Sequence, residues 1–353
     1  MTMKKTVHAK RLIRILAYRI LLLSMLGLIC TTKSLAQKTQ RLIVAYVTSW
    51  TDEEPDPFVM SHINYAFGHV NESFNGVIID NPERLKMIVS LKEKNPKLKV
   101  LLSIGGWGCG RFSEMASQKA NRESFANECK NVVEAYGLDG IDIDWEYPTQ
   151  STAGISSSPD DTANFTLLMH DLRKALPKGR LLTAATASET QYIDFKDIID
   201  CLDFVNVMAY DMSDPLKAHH AALYPSEISG DCTSSEAVEA HLKAGVPKEK
   251  LVMGVPFYGK GDREDAGVKA FLETGVLPEG YQRLWSEESQ VPYIVNAEGK
   301  FVWGDENVKS LTAKCQYIIE QKLRGGMYWD YASDSPQHEF SQTLYRLLMG
   351  NRE

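Results

Sequence analysis

Asp139-Gly140-Ile141-Asp142-Ile143-Asp144-Trp145-Glu146-Tyr147 alternates acidic and bulky apolar residues. A period of two is the pattern of a strand, in which successive side chains leave on opposite faces. One row enters hydrophobic packing, and the other brings Asp142, Asp144 and Glu146 onto one face. Carboxylates crowded in this way repel one another, so such a row shares or displaces a proton, or binds a metal. Asp139 is out of phase with the other three and reads as support for the strand or a neighbouring hydroxyl.

Working outward, seven further apolar runs read as strands. Residues 42–48 (LIVAYVT) form a nearly continuous apolar run, expected to be covered on both faces, with Trp50 just past its C-terminal end. Residues 62–67 give the second strand and 98–104 the third, which ends in Gly105-Gly106-Trp107-Gly108. The acidic strand is the fourth; residues 180–186, 204–210, 251–257 and 325–329 are the fifth to eighth. Helices are expected over 81–94, with Pro82 at the first helical position, and over 118–136, 162–176, 234–244 (capped by Ser234 or Ser235), 309–323 and 336–349. Residues 150–161 and 260–307 read as irregular. Eight short strands separated mostly by helices, with no linker between them, predict an α/β fold, a closed (β/α)8 TIM barrel. An open doubly wound sheet competes, but no glycine fingerprint follows the first strand. The unusual polar and aromatic residues also sit at the C-terminal ends of many strands, which a barrel gathers on one rim.

The 353 residues, 44% apolar and 24% charged, suffice for a large core. Residues 1–36 read as a signal peptide: a basic lead, an apolar run over 20–30 too short to span a bilayer comfortably, and Ser34-Leu35-Ala36 as a small-x-small cleavage site. A lipoprotein reading would need Cys30 as the first mature residue, and Ile29 before it is not the small residue such sites prefer. The expectation is a single catalytic domain over 37–353, exported to the periplasm, the cell exterior or the outer membrane, with no transmembrane span. Removing the seven basic residues of the leader doubles the formal net charge of −7. A chain that acidic is not expected to follow nucleic-acid phosphates, and suits a neutral or cationic polymer. Five cysteines remain, an odd number without a CxxC pair; export permits disulfides, and buried small hydrophobes are the simpler reading.

The acidic run resembles the Asp-x-x-Asp-x-Asp-x-Glu signature of the family 18 glycoside hydrolases, the chitinase family, at Asp139, Asp142, Asp144 and Glu146. The resemblance implies that Glu146 is the general acid and base, its carboxyl kept protonated by neighbouring carboxylates and by Trp145 and other aromatic neighbours. It further implies that the substrate's own acetamido carbonyl is the nucleophile, in place of the second carboxylate of ordinary retaining enzymes. Asp144 would orient the acetamido N–H, and Asp142 would hold or exchange a proton with Asp144. Met208-Ala209-Tyr210-Asp211 is similar to the family's Met-x-Tyr-Asp motif, giving Tyr210 the acetamido carbonyl and Asp211 the sugar or the acid's surroundings.

Ser103-Ile104-Gly105-Gly106 resembles Ser-x-Gly-Gly, with Ser103 bonding near the acidic strand and Gly105 and Gly106 letting backbone approach the sugar. Trp329 resembles the floor tryptophan beneath the central sugar, while Trp107, Trp50, Tyr147 and Phe67 are candidates for flanking subsites, or packing. Gly254-Val255-Pro256-Phe257-Tyr258-Gly259 resembles the segment ending strand seven in chitinases. After it the chain departs from members that carry a sizeable α+β insertion, which implies a shallow, open cleft with only a short insertion. The expected function is retaining hydrolysis of β-1,4-linked N-acetylglucosamine polymers or oligosaccharides by a monomer, with no cofactor and no metal. A metal reading of the acidic strand lacks nearby histidines and conflicts with a proton on Glu146. The alternatives are an endo-β-N-acetylglucosaminidase acting on the chitobiose core of N-glycans, and a chitin-binding lectin, which would typically lack the acid at Glu146.

Overall fold

The run Leu42–Thr48 (β1) is buried at all 7 positions in the computed structural model, which describes residues 40–350. Its side chains divide by parity, as a strand requires. Ile43, Ala45 and Val47 join the large outer core beneath the helices, whereas Leu42, Val44 and Tyr46 join Ala66, Phe204, Val252 and Met327 in an inner cluster. A continuous apolar run therefore serves two cores at once, each buried aliphatic side chain contributing about 1.5–3 kcal/mol. The leader expected over 1–36 lies outside the described residues, and Arg41–Glu353 is a unit by itself.

The next strands are β2 (His62–Val70), β3 (Val77–Ile79), β4 (Lys99–Gly105), β5 (Gly140–Asp144), β6 (Leu181–Thr186), β7 (Phe204–Val207) and β8 (Leu251–Pro256). After them come β9 (Lys260–Gly261), β10 (Gln282–Ser286), β11 (Val291–Val295), β12 (Phe301–Gly304) and β13 (Gly325–Trp329). Among the described residues eight parallel strands, in the order β1-β2-β4-β5-β6-β7-β8-β13, close into a barrel when β13 returns to β1. The chain thus adopts the (β/α)8 barrel. The short β3 is added antiparallel to the end of β2.

Helices α1 (Pro82–Lys94), α2 (Phe112–Ser117), α3 (Lys119–Tyr136), α4 (Asp161–Ala175), α5 (Phe195–Ile198), α6 (Ser234–Ala244), α7 (Ala266–Thr274), α8 (Val308–Glu320) and α9 (Glu339–Leu348) complete the chain. Local chemistry sets their ends. The Asn81 side chain accepts from Arg84 N–H at 3.2 Å to start α1 with Pro82 next to it. Gly137, at φ 66, ends α3 and hands the chain to the acidic strand. The cap of α6 is Thr233, not Ser234 or Ser235; its hydroxyl accepts from Glu236 N–H at 3.4 Å.

Other expectations are corrected as well. Residues 260–307 are not irregular: β9–β12 form a 4-stranded antiparallel sheet, with α7 packed on it through Val268, Ile294, Val302 and Trp303. Alternation is not readable there because the strands are short and mix polar and apolar residues on both faces, as in Gln282–Ser286. The sixth barrel strand ends at Val207, so Met208–Asp211 lies beyond it, and β5 ends at Asp144, so Glu146 follows the strand. Trp145 does not face the acids; it stacks on Phe112 at 5.3 Å and packs against Phe165 in the outer core.

Candidate active site

Strand register delivers the donors to Asp142. Ser103 on β4 and Thr183 on β6 are its lateral partners. Ser103 and Tyr46 donate to Oδ2 at 2.8 Å each, while Thr183 and Asn206 donate to Oδ1 at 2.5 and 3.2 Å. Asp142 is fully buried, and burial pushes its carboxyl above the usual range against the pull of these four hydrogen bonds. Asp139 stands apart at the foot of the strand, taking Lys92 at 2.7 Å, Lys99 at 3.0 Å and the Val100 N–H at 3.0 Å. Burial pushes its carboxyl up, but these partners outweigh it and hold Asp139 below the usual range.

Asp144 and Glu146 open onto a cavity of about 720 Å³ at the C-terminal rim. Asp144 Oδ1 is buried without a hydrogen-bond partner, unlike either oxygen of Asp142. Burial first, then the charges of Glu146 and Asp142, push the Asp144 carboxyl well above the usual range. Burial likewise pushes Glu146 up to about 7; a hydrogen bond from Tyr147 opposes this and the charge of Asp211 adds to it. The principal cause is therefore withdrawal from water rather than an aromatic wall built by Trp145.

Gly105 and Gly106 make this approach possible. Gly106 N–H donates to the Asp144 carbonyl at 2.9 Å. A Cβ on Gly105, at φ 126, would stand 1.9 Å from that carbonyl oxygen, and one on Gly106 would stand 2.6 Å from the Phe67 ring. The close contact is thus with the acidic strand and a floor aromatic, not with the sugar side. Gly105→Ala is expected to lose at least about 1–3 kcal/mol of stability by overpacking and backbone strain, together with activity, and a urea melt with parallel rate assays checks this. An unchanged midpoint would refute that account of the turn.

Aromatic rings make up the floor and walls. Trp329, at the end of β13, stacks on Phe67 at 5.7 Å and 18°, and meets Tyr46 at 5.5 Å. Phe67 is buried, while Trp50 and Trp107 stand 63% and 64% exposed at the cavity edge, where apolar surface of that size is available to a ligand. Tyr147 stacks on Tyr192 at 6.0 Å. Met208 and Tyr210 line the cavity from the turn after β7, and the Tyr210 hydroxyl has only the weak acceptor Met327 Sδ, at 3.7 Å. Asp211 follows, held by His220 and Lys260.

Sequence reasoning missed Tyr46, Thr183, Asn206, Tyr192, Tyr258, Lys260 and His220. Thr183 and Asn206 carried a usable signal, as polar intrusions in the buried runs LLTAAT and FVNV. Lys260 and His220 carried none, since no strand or helix period relates them to Asp211. Among the described residues, no group of three or more His, Cys, Asp or Glu side chains is arranged to hold a metal ion, and no helix is long and apolar enough to cross a membrane. Cys109, Cys129, Cys201, Cys232 and Cys315 are all free thiols.

The closed parallel barrel gathers a buried carboxylic acid and a set of aromatic rings into one cavity at its C-terminal rim. The model of the glycosyl hydrolases family 18 matches residues 42–334, and the chain belongs to that family. It is 32% identical to Chitinase A1 of Niallia circulans over 83% of this chain and 56% of that protein, so it spans little more than half of that relative. It is 31% identical to Chitotriosidase-1 of Mus musculus, over 88% of this chain and 77% of that protein. Among solved structures, a glycoside hydrolase family 18 N-acetylglucosaminidase from Paenibacillus barengoltzii superposes with a TM-score of 0.78 at 34% identity, covering 87% of this chain and 100% of that one.

Proposed function

We propose that this chain hydrolyses β-1,4-linked N-acetylglucosamine polymers or oligosaccharides with retention of configuration, using the substrate's own acetamido group as nucleophile. The observation that carries the reading is Glu146, a buried carboxyl held near pH 7 at the edge of a cavity floored by Trp329. The chitinase, chitotriosidase and N-acetylglucosaminidase among its relatives support the substrate class.

In this reading Glu146 gives its proton to the glycosidic oxygen as the acetamido carbonyl closes on the anomeric carbon. The C–O bond to the leaving sugar breaks, and a cyclic oxazolinium ion forms. The ionised form of Asp144 accepts the acetamido N–H and balances the growing positive charge, which suits the unpartnered Oδ1. Tyr210 donates its weakly engaged hydroxyl to the acetamido oxygen, fixing the angle of attack. Asp142, saturated by its four donors, keeps β5 and hence Asp144 in place. Water then adds to the ion on the face the leaving sugar vacated, giving its proton to Glu146, and the product keeps the β configuration.

Rates on chitotetraose beside a high-mannose glycopeptide, with product anomers followed by proton NMR, test the proposal. Cleavage of chitotetraose to β products is expected. Cleavage of the glycopeptide alone would favour the N-glycan reading, binding without turnover the lectin reading, and α products would overturn the mechanism.

A pH dependence follows from Glu146. Its carboxyl is raised, so the protonated form that donates persists to about pH 7 and is lost above it. The rate kcat/KM is expected to fall roughly tenfold per pH unit on the alkaline side beyond that point. A profile flat to pH 9 would exclude Glu146 as the proton donor.

A further inference from the structure

Asp211 is supported more heavily than a cleft-wall carboxylate needs for solubility, and by residues that have no assigned part in the reaction. Its backbone is left-handed, at φ 58, uncommon outside glycine though aspartate adopts it more readily than most residues. Oδ1 accepts from His220 Nδ1–H at 3.0 Å, and Oδ2 meets Lys260 Nζ at 2.7 Å. Lys260 arrives on β9, so the small antiparallel sheet contributes a cation to the cavity wall.

His220 is itself clamped. It is fully buried, stacks on the His219 ring at 5.4 Å and 13°, and packs against Tyr258 at 5.3 Å. His219 accepts from Ala221 N–H through Nδ1 at 3.1 Å, so its Nε2–H donates to the Asp305 carbonyl at 2.9 Å. Met212 N–H donates to the His220 carbonyl at 3.1 Å, closing the loop between Asp211 and His220. His220 Nε2, by contrast, is buried with no partner. Leaving a buried polar atom unpaired costs stability, so a phenylalanine would suit this slot better if packing were its only demand.

We propose that His220 is a positioning residue for the hydrolysis, fixing the Asp211 carboxylate in the cavity wall that it shares with Glu146. This rests on the proposed function, because it takes Asp211 and Glu146 as parts of one catalytic wall. Asp211 is faced by Glu146 and Tyr147 past the end of β5, by Tyr210 from its own segment, by Tyr258 and Lys260 after β8, and by His220. His220 is faced in turn by His219, Tyr258 and Asp305. Burial pushes the Asp211 carboxyl up, yet His220 and Lys260 outweigh it and hold Asp211 below the usual range. The Asp211 charge then helps to hold the Glu146 proton. Without the His220 donor, burial is less opposed and Asp211 takes up a proton at higher pH.

Three substitutions separate positioning from packing. His220→Phe keeps the ring against His219 and Tyr258 but removes the donor. His220→Gln carries its amide one methylene too far out, and His220→Asn retains a donor at the position of Nδ1. The readouts are kcat and KM on chitotetraose against pH, and the 13C titration of the Asp211 carboxyl in aspartate-labelled protein, identified by the resonance that Asp211→Asn deletes. The Phe and Gln variants are expected to lose about tenfold in kcat with little change in KM. Their Asp211 titration should rise by about one pH unit. The Asn variant should restore most of both. Superimposable Asp211 titrations in wild type and the Gln or Phe variant would overturn the proposal, as would equal losses in all three variants. If wild type cleaved no chitotetraose the proposed function would fail instead, and the 13C titration would still decide the part played by His220.

Discussion

Glu146→Gln is expected to lower kcat on chitotetraose by about 10²–10⁴-fold, the range that positioned general acids contribute, while oligosaccharide binding persists. The amide is isosteric with the acid, and at 9% exposure the side chain sits in a packed slot, so the substitution removes a proton without reshaping the cavity. It also removes the group that burial, with a smaller part from the charge of Asp211, keeps protonated near neutrality. The size of the loss should depend on the leaving group. A nitrophenyl glycoside needs little protonation to depart, so its formation of the cyclic ion should be slowed far less than cleavage of an unactivated sugar. Initial rates on both substrates, with affinity from calorimetry, check the prediction. Equal rates for wild type and variant on chitotetraose would remove Glu146 from the acid position.

Asp144→Asn should lose about 10²–10³-fold, and the nitrophenyl substrate should not rescue it. The two acids do different work. Glu146 acts on the departing oxygen, whereas Asp144 faces the acetamido group and the charge that develops as it attacks. An amide keeps the shape and can still accept the N–H, but supplies no negative charge. The comparison is therefore between two near-isosteric changes whose losses respond oppositely to the leaving group. A parallel assay on a substrate with hydroxyl in place of acetamido should show negligible turnover by either protein. Cleavage of that substrate at the wild-type rate would show that the nucleophile lies elsewhere.

The barrel was legible because its strands are buried on both faces and so stay apolar along their length, as in LIVAYVT and GGMYW. The small sheet of β9–β12 was not, because a two-faced antiparallel layer of strands 2 to 5 residues long gives too few alternations to register. The acids were legible because three carboxylates at a spacing of two have few structural uses. Their separate characters were not. Asp142 differs from Asp144 by the hydroxyls of Tyr46, Ser103 and Thr183, which come from three other strands. The face of Trp145 was legible too: it alternates with the acids and so belongs to the opposite face, where Phe112 and Phe165 receive it.

Local covalent order determined where the strands begin, which residues share a face, and that Glu146 follows two in-phase aspartates, since period and composition act over a few neighbouring residues. The closure of the barrel decided the rest. Only closure surrounds Asp142 with donors from β1, β4, β6 and β7, leaves Asp144 Oδ1 unpartnered, and sets Lys260 against the oxygen of Asp211 opposite the one His220 holds from the local loop. Carboxyl acidity depends on solvent exclusion and on partners a few ångströms away, and those distances exist only once strands remote in the chain lie side by side.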